Sequence, residues 1–287
     1  MRTHGQGDHS RRGRATAIDN RDKGAAVADG SPPVAQDALG LRRLQKILLQ
    51  VGVLVAGLAI WELVAVATNR QDALGQPSVF IPGFFASLFN GDLIYHSAIT
   101  ASEMLAGLVL GAVAGVVIGL SLIVAPPRIK KVVNFYVVGF YCLPKIAIVP
   151  LFILWFGIGW ESKVYFVSMI SFFFMFLAVH EGSKHPPTDQ LNQALIMGAT
   201  RLQLIRFVYA PHALRWVIGG LKMTVPYSLT YAVSAELIAS RGGVGNIILR
   251  AAGAADMNRI LEALAAVLVL AGVLHFTGLS VERRVRT

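Results

Sequence analysis

Hydrophobic residues in this chain gather into six long runs, at about residues 47–68, 101–124, 132–156, 164–181, 212–238 and 260–280, separated by shorter polar stretches. Each run approaches the ~20 residues that a helix needs to cross the hydrocarbon core of a bilayer. Long apolar stretches joined by short polar loops favour helices over a barrel, because a helix satisfies its own backbone groups in lipid. The third run is the least regular. Within "YCLPKIAIVPLFILWFGIG", Pro144 and Pro150 each remove a backbone donor and disturb the helix, so its ends are poorly defined. The pattern predicts an all-α membrane protein with six transmembrane helices.

Residues 1–44 do not share this pattern. They are polar and rich in Gly, Arg, Asp and Ser, with too few large apolar residues to offset the entropy of ordering. This segment is expected to be a disordered, basic cytoplasmic tail, and residues 45–287 a single transmembrane domain. "SRRGRAT" (Ser10 to Thr16) superficially suggests a twin-arginine signal, but no apolar segment follows it for some thirty residues.

Composition strengthens the membrane reading. Hydrophobic residues make up 55% of the 287 and charged residues 15%, against about 25% charged in soluble domains. The mean hydropathy is +0.60. Glycine is abundant, with 28 residues, as expected where helices approach closely in lipid. The single cysteine, Cys142, sits in an apolar run and is read as a packing residue without chemistry. The net charge of +10 does not indicate nucleic-acid binding, since the basic residues are scattered and not interleaved with aromatics.

The charge is better explained by topology. Nine Lys and Arg residues precede the first run, whereas the following loop holds only Arg70, which places the N-terminus inside. With an even number of crossings, "PPRIKK" (Pro126 to Lys131), the polar stretch at 185–211 and "ERRVR" (Glu282 to Arg286) also fall on the cytoplasmic side. The loop at about 239–259 carries Arg241, Arg250 and Arg259 on the external side and breaks the rule locally.

Few stretches suggest chemistry. Gly107, Gly111, Gly115 and Gly119 recur every fourth residue and predict a smooth ridge for tight helix contact. "HEGSKH" (His180 to His185) comes within one residue of a zinc-protease motif, but that spacing sets the two histidines about 140° apart on a helix, so no metal site is expected. There is no GxSxG elbow and no phosphate loop; "RGGVGN" (Arg241 to Asn246) predicts a sharp re-entrant turn. Glu62, Lys145, Lys222 and Glu236 lie in or beside the runs, where charge is costly and must snorkel, pair or face a cavity. From position and polarity, Tyr141, Lys145, Tyr227 and Glu236 are the candidates for a translocation path.

The segment "NQALIMGATRLQLIRFVYAP" (Asn192 to Pro211) is amphipathic and follows a helix-start signal, "HPPTDQ". Leu191, Ala194, Leu195, Leu202, Ile205 and Phe207 form an apolar face, and two short helices bent at Gly198 are expected. Periodicity alone leaves two uses open, a helix resting on lipid and a docking surface.

Beyond periodicity, the segment resembles the EAA loop of ABC importer permeases. Ala194, Gly198, Val208 and Pro211 match that pattern in register, while Asn192, Gln193 and Ala210 replace its Glu, its first Ala and its Leu. "LPKIAIVPLFILWFGIGWESKV" (Leu143 to Val164) and "GGLKMTVPYSLTYAVSAELIASRGGVGNII" (Gly219 to Ile248) are similar to signatures of the nitrate, sulfonate and taurine branch of those permeases. The resemblance covers roughly residues 45–285. It implies a type I importer (MetI-like) fold and a permease subunit, not an enzyme, in the inner membrane of a bacterial cell with both termini cytoplasmic. Its implied partners are a separate ATP-binding subunit, a second permease subunit with a homodimer expected, and an extracytoplasmic solute-binding protein. No cofactor is implied on this chain; ATP and Mg belong to the ATPase. The coupling contact would centre on Ala194, Met197, Gly198, Ala199 and Thr200 within the loop 185–211. The alternative is an ion-coupled secondary transporter, which predicts polar side chains deep in the spans, few of which are evident apart from Lys145.

Overall fold

The computed structural model describes residues 33–123, 125–141, 143–183 and 188–286, and the side chains among them except at 33–44, 138, 141, 183, 214 and 278–286. Residues 1–32 of the expected tail, together with Cys142 and His185, lie outside the described residues. Every regular element among the described residues is helical. The chain divides into one unit ending at Val55 and a second beginning at Ala56.

The described part of the first unit belongs to α1 (Pro33–Ala67). This helix begins at Pro33, so the tail boundary expected at residue 44 falls inside it.

Among the described residues, four helical stretches are long and apolar enough to cross a membrane: Gln45–Ala67 of α1, all of α4 (Asp92–Ile123), Trp160–Gly182 of α7 (Trp160–Ser183) and Met257–Thr277 of α12 (Met257–Arg286). The third and fifth runs differ from these, each for a physical reason. The third is divided into α5 (Pro127–Tyr141), a tight 3-10 turn at Lys145–Ile148 and α6 (Val149–Phe156). Pro144 holds an extended backbone at the break, and Gly157, at φ +80°, ends α6. The fifth forms one 29-residue helix, α10 (Ala210–Ile238), which carries His212, Arg215 and Lys222 and is therefore less apolar.

Segments read from the sequence as loops are partly helical. They contain α2 (Gln71–Leu74), α3 (Pro77–Phe89) and α11 (Val244–Gly253). Near the end of α1, Trp61 donates its indole N–H to Leu74 O at 3.3 Å, and Glu62 accepts from Ser78 N at 3.1 Å and Ser78 Oγ at 2.8 Å. Glu62 thus serves as a cap for α3.

The glycine ridge of α4 packs as its spacing predicts. A Cβ at Gly107 would lie 2.7 Å from Val167 Cβ and one at Gly115 would lie 2.6 Å from Phe172 O, so no side chain fits at either position. Gly111 meets Ser168 and Ser171, and Gly119 meets Val179. Numbering rises together along the two helices, so α4 and α7 run parallel. Gly220 touches Ala178, Ser228 bonds Ser171 at 2.9 Å and Tyr231 packs on Phe166, so α10 runs antiparallel to α7. Between parallel helices the chain must recross the layer, and the broken α5–α6 segment makes that return. Met104, Leu108, Val149, Phe152, Phe166, Val167, Ile170, Leu229, Ala232 and Ala235 close the core between α4, α6, α7 and α10.

Candidate functional site

Two constellations lie at opposite ends of α10. The first precedes it. Helix α8 (Thr188–Ile196) ends in a glycine cap: Gly198 takes φ +75°, its N–H reaches Leu195 O at 3.0 Å, and Ala199 N–H reaches Ala194 O at 3.0 Å. That doubly bonded left-handed cap favours glycine at the bend. Thr200 then starts α9 (Arg201–Leu204) with a capping box: Thr200 N–H donates to Gln203 Oε1 at 2.7 Å, and Gln203 N–H to Thr200 Oγ1 at 3.4 Å. A π-helical turn, Ile205–Tyr209, leads into α10. Pro211 explains it, because its ring crowds the carbonyl four residues back, at Phe207, and a widened turn relieves that contact.

The bend expected at Gly198 is therefore present, with a short helical segment on each side. Asn192 and Gln193 are exposed, Ala194 and Ala199 half-buried, and Val208 buried against the body of the protein. Ile196 and Met197 are each 86% exposed and Leu202 is 74% exposed. Leu195, Ile196, Met197, Leu202 and Phe207 thus stand exposed on this segment, uncovered by the described residues, while Leu191, Ala194 and Ile205 are half-buried.

The second constellation is enclosed. Lys163 of α7 donates to Glu103 Oε1 of α4 at 2.7 Å and to Ser240 Oγ at 2.8 Å. Both side chains are almost wholly buried, at 5% and 1% exposure. Glu236 near the end of α10 accepts from Thr100 Oγ1 at 2.8 Å and from Gly245 N–H at 2.7 Å. Val244 N–H donates to Thr100 Oγ1 at 2.9 Å, Gly243 N–H to His96 Nδ1 at 3.0 Å, and Asn246 Nδ2 to Ser240 O at 2.5 Å. The turn predicted for "RGGVGN" is the hub of this network. Gly243 has φ +95°, and a Cβ at Gly245 would lie 2.6 Å from both Glu236 Cβ and Val233 O.

Lys145 opens the 3-10 turn at the break, half-buried, and Tyr227 is 43% exposed and stacked on Phe174 at 4.7 Å. The side chain of Tyr141 is outside the description. Glu236 is fully enclosed and accepts from the 243–245 turn. Glu103 and Lys163 were overlooked because they fall at the polar ends of two apolar runs, where an ionisable residue reads as an interfacial one. The Thr-x-x-Gln spacing of the capping box was legible. Arg259, which broke the charge rule, is neutralised locally: it donates to Ser87 Oγ at 2.6 Å and Glu262 Oε2 at 2.5 Å, and pairs with Asp92.

Helices of this length and apolarity, one of them broken at prolines, with a bent, outward-facing segment between two of them, define a multi-pass membrane protein of the permease class. Residues 107–287 match the family of binding-protein-dependent transport system inner membrane components. The chain belongs to this family and is an ABC transporter permease, a subunit of the inner membrane. A probable ABC transporter permease protein of Haemophilus influenzae is 31% identical over 82% of this chain and 94% of that one. The taurine transport system permease protein TauC of Escherichia coli is 23% identical over 84% and 89%. A riboflavin transport system permease protein, RibX, of Chloroflexus aurantiacus is 36% identical over 49% of this chain, which spans about half the length of that relative. Among solved structures, an inward-facing MetNI methionine ABC transporter superposes with a TM-score of 0.55 at 22% identity, over 66% of this chain and 91% of that one. An amino acid ABC transporter gives 0.59 at 16%, over 70% and 98%. These establish the permease fold. Membership in this family also implies an ATPase partner and a permease partner.

Proposed function

We propose that this subunit crosses the membrane six times, counting the broken α5–α6 segment and α10, and forms half of the path for a small anion of the sulfonate or nitrate type. Two copies enclose the path, both termini are cytoplasmic, and an extracytoplasmic binding protein delivers the solute. The names of the taurine relative and of a putative aliphatic sulfonates permease of Bacillus subtilis, 26% identical over 71% of this chain, support the solute class. Lys145, Tyr141 and Tyr227 are the side chains assigned to the path, with Lys145 supplying positive charge at the break.

Coupling to a separate ATP-hydrolysing subunit is assigned to Asn192, Gln193, Ala194, Met197, Gly198, Ala199 and Thr200, with Val208 and Pro211 seating the segment on α10. The observation that carries this reading is the outward-facing apolar bend itself. Ile196 and Met197 are exposed at a rigidly capped turn that runs directly into α10. A cleft on the ATPase that accepts the bend converts nucleotide-driven closure into movement of α10.

The test is co-purification of the ATP-binding subunit from mild detergent with wild type, Met197→Glu and Gly198→Glu. Met197 makes no contact that the fold needs, so Met197→Glu is expected to insert normally and lose the ATPase. Normal recovery of the ATPase with both variants would sink the coupling assignment, and solute movement in vesicles without ATP would favour an ion-coupled transporter.

A further inference from the structure

Helix α11 begins without a capping residue of its own. Its N-cap position is Gly243, which has no side chain, and the first N–H groups of a helix need acceptors when they are buried. Acceptors come instead from two other helices. Gly243, Val244 and Gly245 donate in succession to His96 Nδ1 of α4 at 3.0 Å, to Thr100 Oγ1 of α4 at 2.9 Å and to Glu236 Oε2 of α10 at 2.7 Å. Thr100 Oγ1 donates in turn to Glu236 Oε1 at 2.8 Å, closing the set. Thr100, Glu236 and Val244 have no exposed surface, and His96 is half-buried.

A second, independent contact ties the same turn to α7. Ser240 accepts from Lys163, which is paired with Glu103, and the backbone oxygen of Ser240 accepts from Asn246 in the first turn of α11. The turn between α10 and α11 is thus held on both sides. Glu236 is 26 residues from Ala210, about 39 Å along α10 at ~1.5 Å per residue. The coupling segment joins the other end of this same helix.

We infer that Glu236 is a positioning residue for transport: with Thr100 and His96 of α4 it caps α11 from outside, so that α11 is carried as one body with α10 and the start of α4. This rests on the permease reading above. The displacement that α10 receives at the coupling segment then reaches α11 instead of being absorbed in the glycine turn.

The experiment uses the full complex with its ATPase, in a Cys142→Ser background, with spin-label pairs read by pulsed electron resonance. One pair, Thr230→Cys with Leu249→Cys, joins α10 to α11. The other, Phe89→Cys with Leu249→Cys, joins α3 to α11. In the otherwise unaltered chain the first distance is expected to stay fixed between the nucleotide-free and vanadate-trapped states, while the second shifts. Glu236→Leu and the milder Thr100→Val should broaden the first distribution and abolish the shift of the second, with ATP hydrolysis continuing. Glu236→Gln, which keeps an acceptor for Gly245 N–H, should restore both.

A merely structural anchor would leave the nucleotide-dependent shift intact. The inference is overturned if the first distance changes on trapping, if the second does not, or if Thr100→Val retains an unaltered shift. Should Glu236→Leu not assemble, Thr100→Val decides alone. Failure of the unaltered chain to form an ATP-hydrolysing complex would count instead against the coupling assignment.

Discussion

The two ends of α10 solve opposite problems. At the end near Glu236 the chain buries ionisable side chains and polar backbone and pairs most of them internally, through Lys163, Glu103, Thr100 and the 243–246 turn. At the end near Gly198 it does the reverse, holding apolar side chains outward on a backbone fixed by two caps. A substitution at the first should therefore register in the stability of the subunit alone. A substitution of an outward-facing side chain at the second should register only when a partner is present.

That contrast can be broken in order of expected effect. Lys163→Met leaves the Glu103 carboxyl buried without its ion-pair partner, and losing one member of such a pair costs about 3–5 kcal/mol. Thermal unfolding of the purified subunit in detergent should show the largest loss here. Combining Lys163→Met with Glu103→Leu should recover part of the loss, because the stranded carboxylate is gone. An equal midpoint for the single and double variants would show that the pair is not what holds this end.

Gly111→Leu comes next. A Cβ at that position would run into the backbone oxygen of Ser168, and overpacking of a tight contact costs about 1–3 kcal/mol or more. A thermal shift clearly larger than that of a lipid-facing change such as Val113→Leu is expected. Gly198→Ala is smaller still, about 1–2 kcal/mol, from placing a Cβ at φ +75° with no atom within 4 Å to clash with it. Met197→Glu closes the series, within about 0.5 kcal/mol of wild type because the residue is exposed and makes no supporting contact. If Met197→Glu destabilised the isolated subunit as much as Lys163→Met, the contrast between the two ends would fail.

Much of the coupling end could be read from residue order, because its determinants are local. A glycine at a bend, Thr and Gln three apart, and a proline at the head of a helix each act within a few residues. The polar end could not be read that way. His96 and Gly243 are 147 positions apart and Thr100 and Glu236 are 136 apart, so no spacing rule links them. Seen along the chain, Glu236 was an isolated charge for which a path was the natural assignment.

By itself the sequence determined the helical membrane class, the break at Pro144, the packing role of the α4 glycines and the bend at Gly198, since each follows from apolar run length or from local backbone chemistry. Only the tertiary structure decided that α4 and α7 run parallel, that helix α11 fills a supposed loop, and that Glu236 is enclosed as its cap. Those outcomes depend on which distant groups meet. A buried N–H or carboxylate must find a partner somewhere in space, and the order of residues does not say where.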